Sequence, residues 1–145
     1  MKVHEAMTDD VMVATPRQSI RDAAKLMAQN DIGALPVAED DRLVGMITDR
    51  DIAVRAVAEG LGPDTPVADV MSREMLYCFE DEALDDVASN MGQNQVRRLP
   101  VLSRDKRLVG IVAVGDLSQK QGARTIGKAV AEISSPGGAH SQTRH

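Results

Sequence analysis

The sequence predicts a mixed α/β fold, α+β in its arrangement, in which two β-α-β-β-α repeats pack sheet to sheet about a pseudo-twofold axis. Three observations predict it. The chain carries an internal repeat, and each copy alternates short apolar runs with helical periodicity. A copy of roughly 50 residues is too small to bury its sheet alone. Hydrophobic residues make up 43% of the 145 residues and charged residues 27%, which is typical of a globular protein.

The repeat becomes visible when the sequence is shifted by 64 residues, and after one inserted residue the shift becomes 65. The matching segments are Met7 with Met71, Leu35–Val37 with Leu99–Val101, Arg42–Gly45 with Arg107–Gly110, and Asp51 with Asp116. The insertion lies between two apolar runs, where a hairpin turn accommodates it. The predicted domains are residues 1–60 as repeat 1, 61–66 as a Gly/Pro linker, 67–133 as repeat 2, and 134–145 as a disordered polar tail.

In the first copy, Ser19 is expected to begin a helix, since Ser19 and Asp22 resemble a capping box and apolar residues follow at helical spacing. That helix is expected to end near Asn30. The remaining predicted elements of this copy are a strand at Met12–Thr15, a hairpin of Ala34–Ala38 and Leu43–Thr48, and a helix at Asp49–Glu59 ended by Gly60.

The second copy predicts the same order of elements. These are a strand at Leu76–Phe79, a helix carrying Leu84 to Met91, a hairpin of Arg98–Leu102 and Leu108–Ala113, and a helix starting near Asp116. Short helical openers, Val3–Met7 and Val67–Met71, precede the first strand of each copy. Thr125 is expected to cap a last amphipathic helix with Ile126, Ala129, Val130 and Ile133 on its inner face.

Composition excludes several function classes. The net charge is −5 and the aromatic residues are one Tyr and one Phe, so nucleic-acid binding is not expected. The single Cys78 cannot form an internal disulfide, and no apolar run reaches the roughly 20 residues of a membrane span. With no signal-peptide pattern, a cytoplasmic location and no membrane association are expected. The histidines, at 4, 140 and 145, suit neither a catalytic triad nor a metal site.

The segment Gly45–Asp51 fits the pattern G-h-x-[ST]-x-x-D, at the end of a strand and the start of a helix. An acid there can accept hydrogen bonds from vicinal ribose hydroxyls, and Thr48 can donate to a phosphate oxygen. Together with the duplicated Leu-Pro-Val signatures and the β-α-β-β-α order, this motif resembles the tandem CBS domain family, the Bateman module. The chain is most similar to short, stand-alone two-CBS proteins of bacteria.

The resemblance implies two clefts between the repeats. The competent cleft combines Thr48, Asp51, Cys78, Phe79, Arg97, Arg98 and Leu99. The degenerate cleft combines Asp116 and Ala113 with Ala14, Thr15, Gly33, Ala34 and Leu35, and lacks the hydroxyl and both arginines. One nucleotide site per chain is therefore expected.

Several of these residues also have an interpretation that requires no ligand. Thr48 and Asp51 also fit a capping box that needs no ligand. In the second copy Ala113 replaces the threonine, so the cap is expected to be lost, although Asp116 remains. Arg97 and Arg98 also fit a solvated strand edge, and Cys78 fits a small buried side chain.

The resemblance implies a regulatory module that is not an enzyme and requires neither a cofactor nor a metal. The implied ligand is an adenosine-containing molecule: AMP, ADP, ATP or S-adenosylmethionine. A homodimer through exposed helices and an unidentified downstream protein partner are also implied. The alternative is a ligand-free dimeric scaffold or protein-interaction module.

Overall fold

The computed structural model describes residues 1–120, together with residues 131 and 133. The chain divides into two compact units. The first-repeat unit is Met12–Met75, and the second-repeat unit combines Met1–Val11 with the described residues from Leu76 onward. Each unit combines helices with a small sheet, which confirms the mixed α/β class. The sheet-to-sheet packing of the repeats stays a prediction.

The first-repeat unit begins its regular structure with helix α1, Ile20–Asn30. Ser19 caps it as predicted, because its hydroxyl oxygen accepts the Asp22 N–H at 3.1 Å. The helix ends at Asp31, whose φ of 52° places it in the left-handed region. Such a residue lets the chain reverse direction and lead into the hairpin.

The hairpin of this unit pairs β1, Ala34–Glu39, with β2, Arg42–Thr48, in antiparallel fashion. Its two-residue turn, Asp40 and Asp41, has φ values of 51° and 64°. Aspartate tolerates positive φ better than most residues, which suits a tight hairpin turn. The register places Thr48 opposite Ala34, so the end of β2 lies beside the start of β1.

The second helix of this unit differs from its prediction. Helix α2 covers Asp49–Asp51 and continues as a π-helical segment, Ile52–Val57, in which the Ala58 N–H donates to the Ala53 carbonyl five residues back. The predicted helix is therefore present over residues 49–57, two residues shorter than expected and mostly π-helical. Short π-helical segments occur within α-helices, and the apolar spacing that predicts a helix does not distinguish the two types of turn. Gly60, with φ of 79°, follows the segment.

The second-repeat unit has a three-stranded sheet in the order β3-β4-β5. Its elements are β3 (Cys78–Phe79), α3 (Leu84–Asn94), β4 (Arg98–Leu102), β5 (Leu108–Ala113) and α4 (Val114–Lys120). Strand β3 pairs in parallel with β4, and β4 pairs antiparallel with β5. Both predicted hairpins are therefore confirmed.

The first strand of each copy is shorter than predicted. Met12–Thr15 contributes only one bridge, Ala14 to Val37, and Leu76–Phe79 reduces to β3. In the first copy Pro16 follows directly, and proline has no N–H to extend a ladder.

The opener of each copy belongs to the compact unit that contains the hairpin of the other copy. The 3-10 turn Val3–Glu5 belongs to the second-repeat unit, where Thr8 and Ile111 exchange two backbone hydrogen bonds of 2.9 Å. The 3-10 turn Val67–Asp69 belongs to the first-repeat unit, where Met46 and Ser72 exchange bonds of 2.9 and 2.8 Å. The compact units therefore do not coincide with the sequence repeats, because each opener packs with the hairpin of the other copy.

This arrangement gives a reason for two identities between the copies, Met7 with Met71 and Gly45 with Gly110. A Cβ at Gly110 would lie 2.6 Å from the Met7 Sδ, and one at Gly45 would lie 2.9 Å from the Met71 Sδ. The opener of each copy thus passes directly over the glycine of the other copy's second hairpin strand. A side chain at either glycine would push the opener away.

Each unit has its own hydrophobic core, and each core includes opener residues. Val67, Val70 and Met71 join the core of the first-repeat unit, and Val3 joins that of the second. Within the described residues, Ile133 is buried. The helix predicted from Thr125, with Ile126, Ala129 and Val130, and the polar tail lie outside the described residues. Among the described helices, none has the length and apolarity to cross a bilayer.

Candidate ligand-binding site

Thr48 and Asp51 form a complete capping box at the start of α2. The Asp51 N–H donates to the Thr48 Oγ1 at 2.9 Å, and the Thr48 N–H donates to the Asp51 Oδ2 at 3.0 Å. Both side chains are half-buried. The structural alternative for this pair is thus present in the fold, and among the described residues this box uses the Oδ2 atom of Asp51. Each oxygen of a carboxylate can accept hydrogen bonds, so Oδ1 adds acceptor capacity at the start of this helix.

Asp116 plays the same part at the start of α4, and here the sequence-based expectation is wrong. The cap was expected to be lost with the threonine, yet the Ala113 N–H donates to the Asp116 Oδ2 at 2.8 Å. Only the hydroxyl half of the box is missing. The retention of an acid in both copies therefore has a structural cause, since each carboxylate satisfies a backbone N–H at a helix start.

The residues that precede the hairpins lie beside these helix starts in both units. The Asp49 N–H donates to the Gly33 carbonyl at 2.9 Å, and the Val114 N–H donates to the Arg97 carbonyl at 3.0 Å. The local charges differ. In the first-repeat unit an Asp49 carboxylate oxygen lies 3.1 Å from where a Cβ of Gly33 would stand, whereas Arg97 occupies the equivalent position of the second.

Arg97 and Arg98 are both exposed. Arg98 starts β4 opposite Ala113, so the pair lies at the same sheet end as the start of α4. Among the described residues neither arginine forms an ion pair within 4.0 Å. An exposed guanidinium without a carboxylate partner is available to a phosphate group, whose oxygens match its fork of donors.

The apolar members of the predicted clefts belong to the two cores. Ala14 and Leu35 are fully buried in the first-repeat core, and Cys78 and Leu99 are 3% and 4% exposed in the second. Side chains packed in this way offer a ligand little more than backbone groups. Of the other apolar and small positions, Phe79, Gly33 and Ala34 are half-buried and Thr15 is exposed.

Burial raises the pKa of the Cys78 thiol to about 12, and the nearby Glu82 carboxylate contributes to the shift. We expect Cys78 in the native protein to resist alkylation by iodoacetamide at pH 8, since the thiolate is the nucleophile. Because the ordinary pKa is 9.0, the unfolded thiol ionises first, and native stability should fall as the pH rises from about 9 to 12. Mass spectrometry of the protein after iodoacetamide treatment, with and without urea, measures how much Cys78 is alkylated. Rapid labelling without urea would contradict it.

Phe79 has neighbours that the sequence analysis missed. Tyr77 contacts its ring with centroids 5.6 Å apart, and the Arg104 guanidinium carbon lies 4.2 Å from the ring centroid. Asp81 in turn forms an ion pair with Arg104. Arg104 lies 25 residues from Phe79 in the sequence, in the turn between β4 and β5, so no local pattern could have indicated the contact.

The structure distributes the predicted site residues over the two units. The first-repeat unit holds Ala14, Thr15, Gly33, Ala34, Leu35, Thr48 and Asp51. The second-repeat unit holds Cys78, Phe79, Arg97, Arg98, Leu99, Ala113 and Asp116. Each predicted cleft combines residues of both units, and these combinations stay predictions. Within the part of the chain that the structure describes, no three His, Cys, Asp or Glu side chains are grouped to hold a metal ion.

Comparison with known proteins agrees with this architecture. The CBS domain family model matches residues 3–57 and 67–121. The chain is 44% identical over 133 residues to the CBS domain-containing protein YhcV of Bacillus subtilis, covering 91% of this chain and 94% of that protein. It is 38% identical over 134 residues to Hypoxic response protein 1 of Mycobacterium tuberculosis, covering 91% and 93%.

Three solved structures extend the comparison. A crystal structure of Hypoxic Response Protein I with two coordinated zinc ions matches with a TM-score of 0.75 and 35% identity, over 84% of this chain and all of that one. The CBS domain pair of MJ0100, in complex with 5′-methylthioadenosine and S-adenosyl-L-methionine, matches at 0.69 and 32%, over 82% and 94%. CBSX2 in complex with AMP matches at 0.71 and 27%, over 81% and 93%.

The predicted resemblance is therefore confirmed in both its parts. The family model matches twice, in register with the internal repeat, and the similar proteins are stand-alone CBS proteins of nearly the same length. This chain belongs to the CBS domain family, as a pair of CBS domains.

Proposed function

We propose that this CBS pair is a regulatory module that binds an adenosine-containing molecule: AMP, ADP, ATP or S-adenosylmethionine. The observation that carries the proposal is the position of Asp51 at the start of α2, where Oδ2 completes the cap and none of the described residues donates a hydrogen bond to Oδ1. We infer that Oδ1 accepts the ribose hydroxyls. Similar CBS pairs have been crystallised with AMP and with S-adenosyl-L-methionine. Binding is expected to alter the packing of the module, and a downstream protein partner would receive the change.

The proposed ligand contacts divide by chemistry. Asp51 would accept from the sugar, and Thr48 would donate to the first phosphate. Arg97 and Arg98 would supply positive charge to the remaining phosphate oxygens. Phe79 would contact the base, while Cys78 and Leu99, whose side chains are buried, would contribute backbone groups.

We expect one competent site per chain. The residues Ala14, Thr15, Gly33, Ala34, Leu35 and Asp116 make up the degenerate alternative. Where the competent set has Arg97, this set has Gly33 with the Asp49 carboxylate beside it, which would repel a phosphate. It also lacks the threonine hydroxyl, because Ala113 stands at that position.

A thermal-shift panel with millimolar AMP, ADP, ATP and S-adenosylmethionine tests the ligand class. A ligand at 100 times its dissociation constant stabilises the native state by about 2.7 kcal/mol, a shift of several degrees for a domain of this size. We expect at least one adenosine compound to raise the Tm, with GMP as the control nucleotide. Isothermal titration of that compound should then give a stoichiometry near one. Two equivalent sites per chain would contradict the asymmetry.

A ligand-free scaffold is the second candidate function. The complete capping box favours it, because Thr48 and Asp51 satisfy each other's backbone groups without any ligand. An unmoved Tm with every compound of the panel would support the scaffold over the binding module.

We also propose that the chain forms a homodimer through exposed helices. The π-helical segment and the residues after it expose Val54, Val57 and Leu61 at 45%, 68% and 42%. These side chains lie on one short stretch, and apolar side chains gathered on a surface favour contact with another protein. A second copy of the chain would bury them.

The substitution Val57→Glu tests this interface. Placing a charge in the contact is expected to convert the dimer to a monomer, measured by size-exclusion chromatography with light scattering. Leu76→Glu, at a residue that is 38% exposed in the other unit, is the matched control. Dissociation by the control alone would place the interface elsewhere.

A further inference from the structure

The two aromatic residues of the chain lie together. Tyr77 and Phe79 contact each other in an edge-to-face arrangement, with an interplanar angle of 88°. Tyr77 is 40% exposed and Phe79 is half-buried. The sequence has no other aromatic residue, and the pair lies at β3, the strand that the proposed site uses.

Arg104 covers one face of the Phe79 ring. Its guanidinium carbon lies 4.2 Å from the ring centroid, which is within the range of a cation–π contact. Asp81 holds this guanidinium at three points: the Arg104 Nε donates to Oδ1 and Oδ2 at 3.0 and 2.9 Å, and Nη2 lies 2.8 Å from Oδ1. The hydrogen bond from Arg104 lowers the pKa of the Asp81 carboxyl group, so the ion pair favours the charged carboxylate.

The backbone of this segment is held as well. The Phe79 N–H donates to the Glu82 Oε2 at 3.2 Å, and the Glu80 and Glu82 carbonyls accept the N–H groups of His4 and Val3, both at 3.0 Å. The Cα of Phe79 is therefore fixed by the sheet and the loop. The remaining freedom is the orientation of the ring about its side-chain torsions, and Arg104 and Tyr77 restrict that orientation.

The ion pair contributes little to overall stability. Its side chains are 62% and 44% exposed, and exposed pairs are screened by water and salt. Its consequence is local: it keeps a planar cation against one face of the half-buried ring and so limits the orientations that the ring can take. A ring held in one orientation loses less conformational entropy when a base stacks on it.

We propose that Arg104, oriented by Asp81, is a positioning residue that holds the Phe79 ring ready to stack on the base of the ligand. The inference rests on the proposed function, since it assigns Phe79 to the base. It adds two residues to the candidate site, and neither belongs to the repeat motif.

The first repeat provides matched controls. By the 64-residue shift, Phe79 corresponds to Thr15, Asp81 to Arg17 and Arg104 to Asp40. The charges are reversed and the ring is absent, so Arg17→Ala removes one exposed positive charge, as Arg104→Ala does, without touching an aromatic ring.

The experiment measures the affinity of the best adenosine compound, with AMP as the first probe, for Arg104→Ala, Arg104→Lys and Arg17→Ala. We expect Arg104→Ala to weaken binding about two- to tenfold, Arg104→Lys to have an intermediate effect, and Arg17→Ala to have none. Asp81→Arg combined with Arg104→Asp restores the ion pair but removes the guanidinium from the ring. We expect this double variant not to recover affinity, whereas a purely structural ion pair would be restored.

Tyr77 supplies a readout that needs no ligand. It is the one tyrosine of a chain without tryptophan, so near-ultraviolet circular dichroism reports its contact with Phe79. We expect Arg104→Ala to change this signal while Tm stays within about 2 °C of the wild type. Unchanged affinity with Arg104→Ala, or recovery in the double variant, would overturn the proposal. If the wild type binds no adenosine compound, the proposed function fails, and an unchanged Tyr77 signal would then overturn the positioning role as well.

Discussion

Replacing Asp51 with alanine is expected to remove adenosine binding and, separately, to lower the free energy of unfolding. Hydrogen bonds to a charged acceptor contribute about 1.5–3 kcal/mol each, so the loss of two ribose contacts weakens binding by at least about 100-fold. The stability effect has a different origin. Asp51 Oδ2 accepts the Thr48 N–H at the start of α2, and removing a cap of this kind costs about 0.5–2 kcal/mol.

The substitution Asp51→Asn separates the two effects. Asparagine keeps one side-chain oxygen, which can accept the Thr48 N–H and preserve the cap. Its amide group donates where the carboxylate would accept, so it cannot hold both ribose hydroxyls. We expect Asp51→Asn to retain most of the stability in urea denaturation while losing most of the affinity in isothermal titration.

Asp116 is the matched control for this experiment, because its Oδ2 makes the same backbone contact with the Ala113 N–H at 2.8 Å. Asp116→Ala should therefore lower stability by a similar amount and leave the affinity unchanged. Equal loss of affinity from Asp116→Ala would refute the single competent site. Full affinity in Asp51→Ala would refute the role of Asp51 in holding the ribose.

A second large effect is expected from Gly110→Val. The first carbon of any side chain at this position would lie 2.6 Å from the Met7 Sδ and 2.9 Å from the Thr8 carbonyl oxygen. Met7 can move, but the Thr8 carbonyl is backbone that pairs with Ile111. We expect the N-terminal opener to be displaced and the free energy of unfolding to fall by about 1–3 kcal/mol, as overpacking does in protein cores.

Hydrogen exchange locates this effect, since the amides of Thr8 and Ile111 protect each other in the native protein. Both should lose protection in Gly110→Val. Gly45→Val should produce the equivalent change at Met46 and Ser72, because its Cβ would lie 2.7 Å from the Ser72 carbonyl oxygen. Gly62→Ala, where nothing lies within 4 Å, serves as the control. Retained protection at Thr8 would show that the opener is not held over this glycine.

The structure confirms several predictions that rested on local pattern. The boundaries of α1 and the two hairpins follow from helical periodicity, a serine cap and tight turns, which depend on residues close together in sequence. The second helix of the first repeat was predicted less well. Its apolar spacing indicates a helix, but that spacing does not distinguish α from π turns.

In the candidate site, too, local pattern indicated some features, and others depend on packing. The motif at Gly45–Asp51 identified a carboxylate at a helix start, and the structure confirms its place there. The motif could not indicate that Asp116 caps Ala113 without a hydroxyl. Nor could it show that Cys78 and Leu99 are buried in a core, because burial depends on which segments cover a strand.

By itself the sequence determined that the chain is a duplicated α/β unit with an acid at the start of the second helix in each copy. Residue spacing and internal repetition are enough to reveal these features. Only the tertiary structure decided which copy each opener joins and which side chain covers Phe79. Both copies carry the same methionine and glycine, so their pattern is equally compatible with packing within a copy or across copies. That choice is made by long-range contacts, whose energy depends on the folded chain as a whole.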